Sequence, residues 1–239
     1  MSDTSVRLFD KFMPDQPRNN EHYAGAPGDY HAALFDTLVR ASGIAAPAEE
    51  FSLEASSRFS QEEMGSNPIS LRLLELLVRL VRAERVLEIG TFIGVSGMYM
   101  ARALPESGRL VTIEKFPEFA EIARRNFKAN GFDDRIDLLV GDAHDRIRDL
   151  ARLTPFDVIF IDGNKERYAD YFVALEPILR PGGLFIIDDI LFHGDALNKV
   201  PQTEKGRGVR DLLDRVERSK DYLRLALPIA NGMLLLLRR

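Results

Sequence analysis

From Arg85 onward, short runs of Val, Ile, Leu and Phe alternate with segments of helical periodicity, and that alternation leaves few folds open. The runs fall at 86–89, 110–114, 136–140, 156–161 and 184–187. Each is nearly continuous in apolar residues, as in strands of a parallel sheet covered on both faces. Between them, helical stretches are expected from the loop after residue 90 to 104, over 117–130 with Gly131 as the stop, and over 168–179, where Pro181-Gly182-Gly183 follows. Alternating strand and helix imply a doubly wound α/β fold whose ligands sit at the carboxyl ends of the strands.

The tail breaks the alternation. A helix over 209–216 precedes strands at 223–227 and 233–237 joined by a turn at Asn231-Gly232, which reads as an antiparallel hairpin at the sheet edge. Upstream, Asn67-Pro68 marks a helix start before the leucines of 69–81. Residues 30–41 have helical spacing, and Pro14, Pro17 and the turn cluster at 25–28 make 1–30 an irregular arm. The expected organisation is a mostly parallel seven-stranded sheet domain over 61–239 and an N-terminal helical extension over 1–60, serving as lid or dimer contact.

Composition excludes several chemistries. The 239 residues contain no Cys, which removes disulfides, thiolate nucleophiles and Cys-ligated zinc. A net charge of −5 gives no electrostatic reason for nucleic acid as the main partner, although Arg207, Arg210 and Arg215 allow a local basic patch. The polar first twenty residues do not read as a signal peptide, and no apolar run is long enough to span a bilayer. A soluble cytoplasmic protein is the expectation.

Three strand ends carry ligand-facing turns. At the first, Glu88 precedes Gly90 and Gly94 without the G-x-G-x-x-G spacing of a pyrophosphate loop. A carboxylate there would repel pyrophosphate and suit a cationic amino-acid group. Glu114, ending the second run, is placed to accept ribose hydroxyls. Gly141-Asp142-Ala143 follows the third. A glycine turn after a first strand is common in α/β proteins, so the order of all three matters more than any one.

The fourth and fifth runs end in Asp162 and in Asp188-Asp189. Adjacent parallel strands bring these carboxylates into one crevice, where they suit a hard cation such as Mg²⁺, or Mn²⁺ or Ca²⁺. Lys165, three residues after Asp162, has the place of a base. The alternative is that the aspartates cap helices and Lys165 is a surface charge.

Together these motifs resemble the cation-dependent O-methyltransferase family that includes catechol and caffeoyl-coenzyme A O-methyltransferases. The resemblance covers about 64–239 and is most specific at 86–96, 156–165 and 181–194; residues 227–232 resemble the family's C-terminal turn. It implies a Rossmann-like fold and methyl transfer from S-adenosylmethionine to a hydroxyl of a catechol-like or other vicinal-dihydroxy molecule. By the same comparison Glu88, Gly90 and Ser96 hold the amino-acid part of the cofactor, and Glu114 its ribose. Met64 and Ser66 line the pocket, Asp142 and Ala143 lie near the adenine, and Asp162 lies near the cofactor. Asp162, Asp188 and Asp189 would be metal ligands and Lys165 the base. A homodimer is implied as well. Two features depart from the family: Asp189 replaces its usual Asn, and the chain has no Trp, leaving Phe92, Phe192 and Tyr168 as candidates for an aromatic gate. Methylation of a hydroxylated tRNA base, and a dehydrogenase using NAD on a similar fold, are the competing readings.

Overall fold

The computed structural model describes residues 24–26 and 29–239. Expectations that fall on 1–23 lie outside them. The chain divides into two compact units, one ending at Ala45 and one spanning Ala46–Arg239. In the first, helix α1 (Tyr30–Ala41) occupies the predicted span, with Arg40 in its last turn.

The second unit is built on a seven-stranded sheet in the order β3-β2-β1-β4-β5-β7-β6. Its strands are β1 (Arg85–Ile89), β2 (Arg109–Glu114), β3 (Ile136–Val140), β4 (Phe156–Ile161), β5 (Leu179–Ile187), β6 (Tyr222–Leu227) and β7 (Met233–Arg238). The first five are parallel, and β7 runs antiparallel between β5 and β6. Register explains the apolar runs. Leu87, Val111, Ile159 and Phe185 lie in one row across neighbouring strands, and Val86, Leu110, Val158 and Leu184 in the next. The first row enters one hydrophobic cluster and the second another, so alternate side chains feed two cores. Each such side chain contributes about 1.5–3 kcal/mol on full burial.

Helices cover both faces: α2 (Pro47–Glu50), α3 (Gln61–Met64), α4 (Pro68–Val81), α5 (Val95–Ala103), α6 (Pro117–Ala129), α7 (Ala143–Arg146), α8 (Tyr168–Leu175) and α9 (Glu204–Arg218). Helix α4 begins where the sequence predicts, with Asn67 accepting the Ser70 N–H at 2.9 Å and proline in the first turn. Residues 46–60, grouped with the extension on sequence, lie in the same compact unit as the sheet. The Phe51 ring meets Tyr99 edge-on at 5.3 Å. Buried Asn126 donates to Ile93 O at 2.9 Å and to Glu54 O at 3.2 Å, and accepts the Glu54 N–H at 2.7 Å.

Boundaries in two regions differ from expectation. Helix α8 ends at Leu175, and after a short 3₁₀ turn at Glu176–Ile178 strand β5 begins at Leu179, so Pro181-Gly182-Gly183 lies within the strand. Its pairing with β4 shifts register across that stretch. Helix α9 starts five residues before the predicted 209, capped by the Thr203 hydroxyl, which accepts the Gly206 N–H at 2.9 Å.

Candidate functional site

Sheet order reverses between β1 and β4, since β2 and β3 lie to one side and β5 to the other. In open α/β sheets the crevice beyond such a switch is where ligands bind. Gly90, just past β1, and Asp162, just past β4, meet there. Gly90 has φ +97°, and a Cβ on it would fall 2.2 Å from the Asp162 carbonyl oxygen, so only glycine lets the two strand ends approach. A cleft of about 760 Å³ opens over them, a size suited to a cofactor together with a small substrate.

Of the residues selected from sequence, Met64, Ser66, Gly90, Ser96, Glu114, Ala143, Asp162, Lys165, Asp188 and Asp189 line this cleft. Glu88 and Asp142 are not in its lining. Glu88 is fully buried on the α5 side of β1, where it accepts hydrogen bonds from the Ser96 hydroxyl at 2.5 Å and the Thr112 hydroxyl at 2.7 Å. It therefore reaches the cleft through Ser96. Burial pushes its carboxyl up to about 8, against the pull of those two hydroxyls. Asp142 caps α7 by accepting the His144 N–H at 3.1 Å, and pairs with Lys115 at 3.1 Å.

The Glu114 carboxylate is held by the loop after β1. It accepts the N–H groups of Thr91 at 3.1 Å and Phe92 at 2.8 Å, and that of Phe116 at 2.9 Å. Burial raises its pKa, and the three backbone donors oppose the rise. Phe92, Phe116 and Phe119 form an aromatic wall beside it, with ring centroids 5.1 Å and 5.7 Å from Phe119.

At the ends of β4 and β5, Lys165 bridges two carboxylates, with Nζ 2.7 Å from Asp162 Oδ1 and 3.1 Å from Asp189 Oδ2. Their side chains are only 15–22% exposed. Burial works against the ammonium, but Asp162, Tyr168 and Asp189 outweigh it and hold Lys165 well above the ordinary lysine value. Asp162 is itself raised, by burial first. Asp188 accepts the Asp189 N–H at 2.9 Å, and burial beside Asp162 pushes it up to about 7. Asp189 has φ +63°, a left-handed backbone that costs a non-glycine residue about 1–3 kcal/mol and is typical of functional sites. Among the described residues no three acidic or histidine side chains converge as a metal-holding group, and the Lys165 ammonium pairs with both Asp162 and Asp189. The donor set is nevertheless all carboxylate oxygen on two rigid strand ends, which fits a hard divalent cation by its chemistry.

Phe92 and Phe192 line the cleft, whereas Tyr168 is fully buried in the core, below the Lys165 ammonium at 5.7 Å. Sequence reasoning missed Asn231, Lys115, Phe116 and Lys205, all in the lining. Asn231 arrives because the loop before β7 is tied to the loop after β5: Leu191 N donates to Asn231 O at 2.7 Å and Ile190 N to Gly232 O at 3.1 Å. The resemblance of 227–232 to a family turn was the one signal pointing there. Of the candidates for a local basic patch, Arg207 is exposed and Arg210 half-buried, and both have partners close by. Arg207 pairs with Glu204 at 2.5 Å, and Arg210 donates to the carbonyls of Ala196 and Asn198.

Comparison with known proteins agrees with this architecture. The family model described as O-methyltransferase matches residues 49–239. A catechol O-methyltransferase of Mycobacterium tuberculosis is 36% identical over 171 residues, 72% of this chain and 76% of that enzyme. Another, from Niastella koreensis, is 36% identical over 146 residues, 60% of this chain and 66% of that enzyme. Among solved structures, the O-methyltransferase TomG of Streptomyces achromogenes, determined with S-adenosylmethionine, superposes with a TM-score of 0.71. It is 33% identical, covering 74% of this chain and 82% of that one. The seven-stranded sheet with its cleft at the β1–β4 switch and the family match over 49–239 together make this chain a member of the O-methyltransferase family.

Proposed function

We propose that this O-methyltransferase moves the methyl group of S-adenosylmethionine to one hydroxyl of a small vicinal-dihydroxy acceptor, with a divalent cation in the site. The observation that carries the reading is the meeting of a carboxylate-lined half, Asp162, Asp188 and Asp189 with Lys165, and an aromatic half around Glu114 in one cleft. Family membership removes the dehydrogenase alternative.

In the cofactor half, Glu114 accepts ribose hydroxyls with the lone pairs its backbone donors leave free. Phe92, Phe116 and Phe119 offer apolar surface to the adenine, with Met64 and Ala143 at its edges. Ser96 is oriented by Glu88 and, with Gly90 and Asp162, receives the amino-acid end. A bound cofactor supplies a methyl group already activated as a sulfonium, so the protein's task is positioning and charge control.

In the acceptor half, Asp162, Asp188 and Asp189 are the residues that would hold the cation, which supplies Lewis-acid polarisation of the acceptor oxygens. Lys165 is held as an ammonium by Asp162 and Asp189. Once those carboxylates are neutralised, burial acts on the amine against less opposition and favours its free form, the form that takes a proton from the acceptor hydroxyl. Asp189 puts one more negative charge here than the asparagine usual in the family, which favours the cation and disfavours acceptors negatively charged next to their hydroxyls.

Methyl transfer to catechols, to hydroxycinnamoyl esters and to hydroxylated tRNA, each with and without Mg²⁺, tests the reading. Transfer to small vicinal diols that stops in excess chelator and returns with Mg²⁺ or Mn²⁺ is expected. Full turnover in chelator removes the metal part, and transfer confined to tRNA removes the acceptor part.

A further inference from the structure

Three lysines line the cleft, and two of them are already paired: Lys115 with Asp142, and Lys165 with Asp162 and Asp189. The third, Lys205, has no carboxylate within ion-pair distance among the described residues. Its Nζ lies 5.8 Å from the centroid of the Phe192 ring, another cleft residue, at the range of a cation–π contact. Lys205 is the second residue of α9. A cation in the first turn of a helix works against the helix dipole, so Lys205 does not serve α9 itself. The loop that carries Phe192 is held in costly geometry: Phe192 and His193 have φ +40° and +52°, and both line the cleft.

Helix α9 ties this lysine to the acceptor half. Gly208 sits against the Lys165–Glu166 backbone so closely that a Cβ would fall 2.4 Å from Lys165 O and 2.7 Å from Glu166 Cα. Lys205 precedes Gly208 by three residues, about 4.5 Å along the axis. The positive charge of Lys205 and the Lys165 turn are therefore set on one rigid contact.

We propose that Lys205 reads a carboxylate carried by the methyl acceptor at the end remote from its two hydroxyls, with Phe192 lying against the acceptor's ring. The inference rests on the acceptor reading above and specifies it: the substrate class is an anionic dihydroxy aromatic acid. One feature favours an acid over a neutral diol: among the described residues Lys205 is a cleft lysine with no carboxylate partner. Glu63, Glu114, Asp162, Asp188 and Asp189 line the same cleft and disfavour an anion beside them, so a carboxylate on the acceptor has to be received at a cation such as Lys205. The exposed Lys205 supplies that cation from the first turn of α9, with no carboxylate partner among the described residues.

Calorimetric titration tests the proposal without relying on turnover. Catechol and 3,4-dihydroxybenzoate, which differ only in the carboxylate, are titrated into the full chain saturated with S-adenosylhomocysteine and Mg²⁺. For the wild type, the acid is expected to bind about tenfold tighter than catechol, the scale of one charge-assisted hydrogen bond. In Lys205→Ala the ratio of the two affinities should fall to about one, in Lys205→Glu it should invert, and Lys205→Arg should keep the preference. A wild-type ratio near one, or a ratio left unchanged in Lys205→Ala, overturns the proposal. If the ratios behave as expected but neither compound is methylated on addition of S-adenosylmethionine, the acceptor reading fails while the anion site stands.

Discussion

Glu88 allows a quantitative test, because its charge is set by burial that can be relieved at one atom. The side chain is fully buried and bonded only to the hydroxyls of Ser96 and Thr112, so burial raises its carboxyl from 4.5 to about 8. Between those two values the folded protein keeps the proton and the unfolded chain has lost it. Folding therefore takes up a proton, and stability falls as pH rises from about 4.5 to 8, with no further loss from this group above 8. The full shift corresponds to about 5 kcal/mol, an upper figure for a single group. Glu88→Gln keeps the shape and an oxygen acceptor but cannot ionise. The assay is denaturant unfolding of both proteins at pH 5, 7 and 9, read as the difference between wild type and variant so that other titrating groups cancel. The variant should gain on the wild type by several kcal/mol between pH 5 and 9, with most of the change complete by pH 8. Parallel stability curves would refute the reasoning and show that Glu88 is already ionised in the fold near neutral pH.

Two further substitutions probe the acceptor half. Lys165→Ala should lower turnover about 10²–10⁴-fold, the range for a positioned general base, and Lys165→Arg should not restore it because guanidinium stays protonated; steady-state rates with near-normal arginine activity would show that only positive charge is needed. Gly208→Ala drives a Cβ into backbone rather than into a yielding side chain, so it should cost about 1–3 kcal/mol by overpacking, partly offset by about 1 kcal/mol of helix propensity. It should also lower kcat by displacing the Lys165 turn, and an unchanged melting temperature and kcat would contradict the packing described.

Much of the sheet was readable because parallel strands buried on both faces leave unbroken apolar runs, and all five parallel strands overlap the predicted positions. Where side chains were chosen for close approach, the pattern gave way. The first turn of α9, Glu204 to Gly208, has no apolar spacing; its glycines are there for Asp195 and Lys165, neighbours invisible along the chain. Pro181-Gly182-Gly183 reads as a terminator by composition but lies inside β5. In the site, Gly90, Glu114, Asp162 and Asp188 could be picked out because the fold class alone puts strand ends at the cleft. Glu88 could not be placed as well, since period-two alternation turns it away from the cleft toward Ser96 and Thr112. Lys205 and Asn231 depend on loops brought in by tertiary folding, and neither lies in a strand-end motif.

The central claim is that the carboxylate cluster and Lys165 select two adjacent oxygens on the acceptor. The most direct measurement is transfer of labelled methyl from S-adenosylmethionine, in Mg²⁺, to catechol and to phenol as matched acceptors. Labelled monomethyl catechol with no methylation of phenol is the predicted result. Equal transfer to both would contradict the account, because a single hydroxyl would then suffice and the three aspartates would have no part in choosing the substrate.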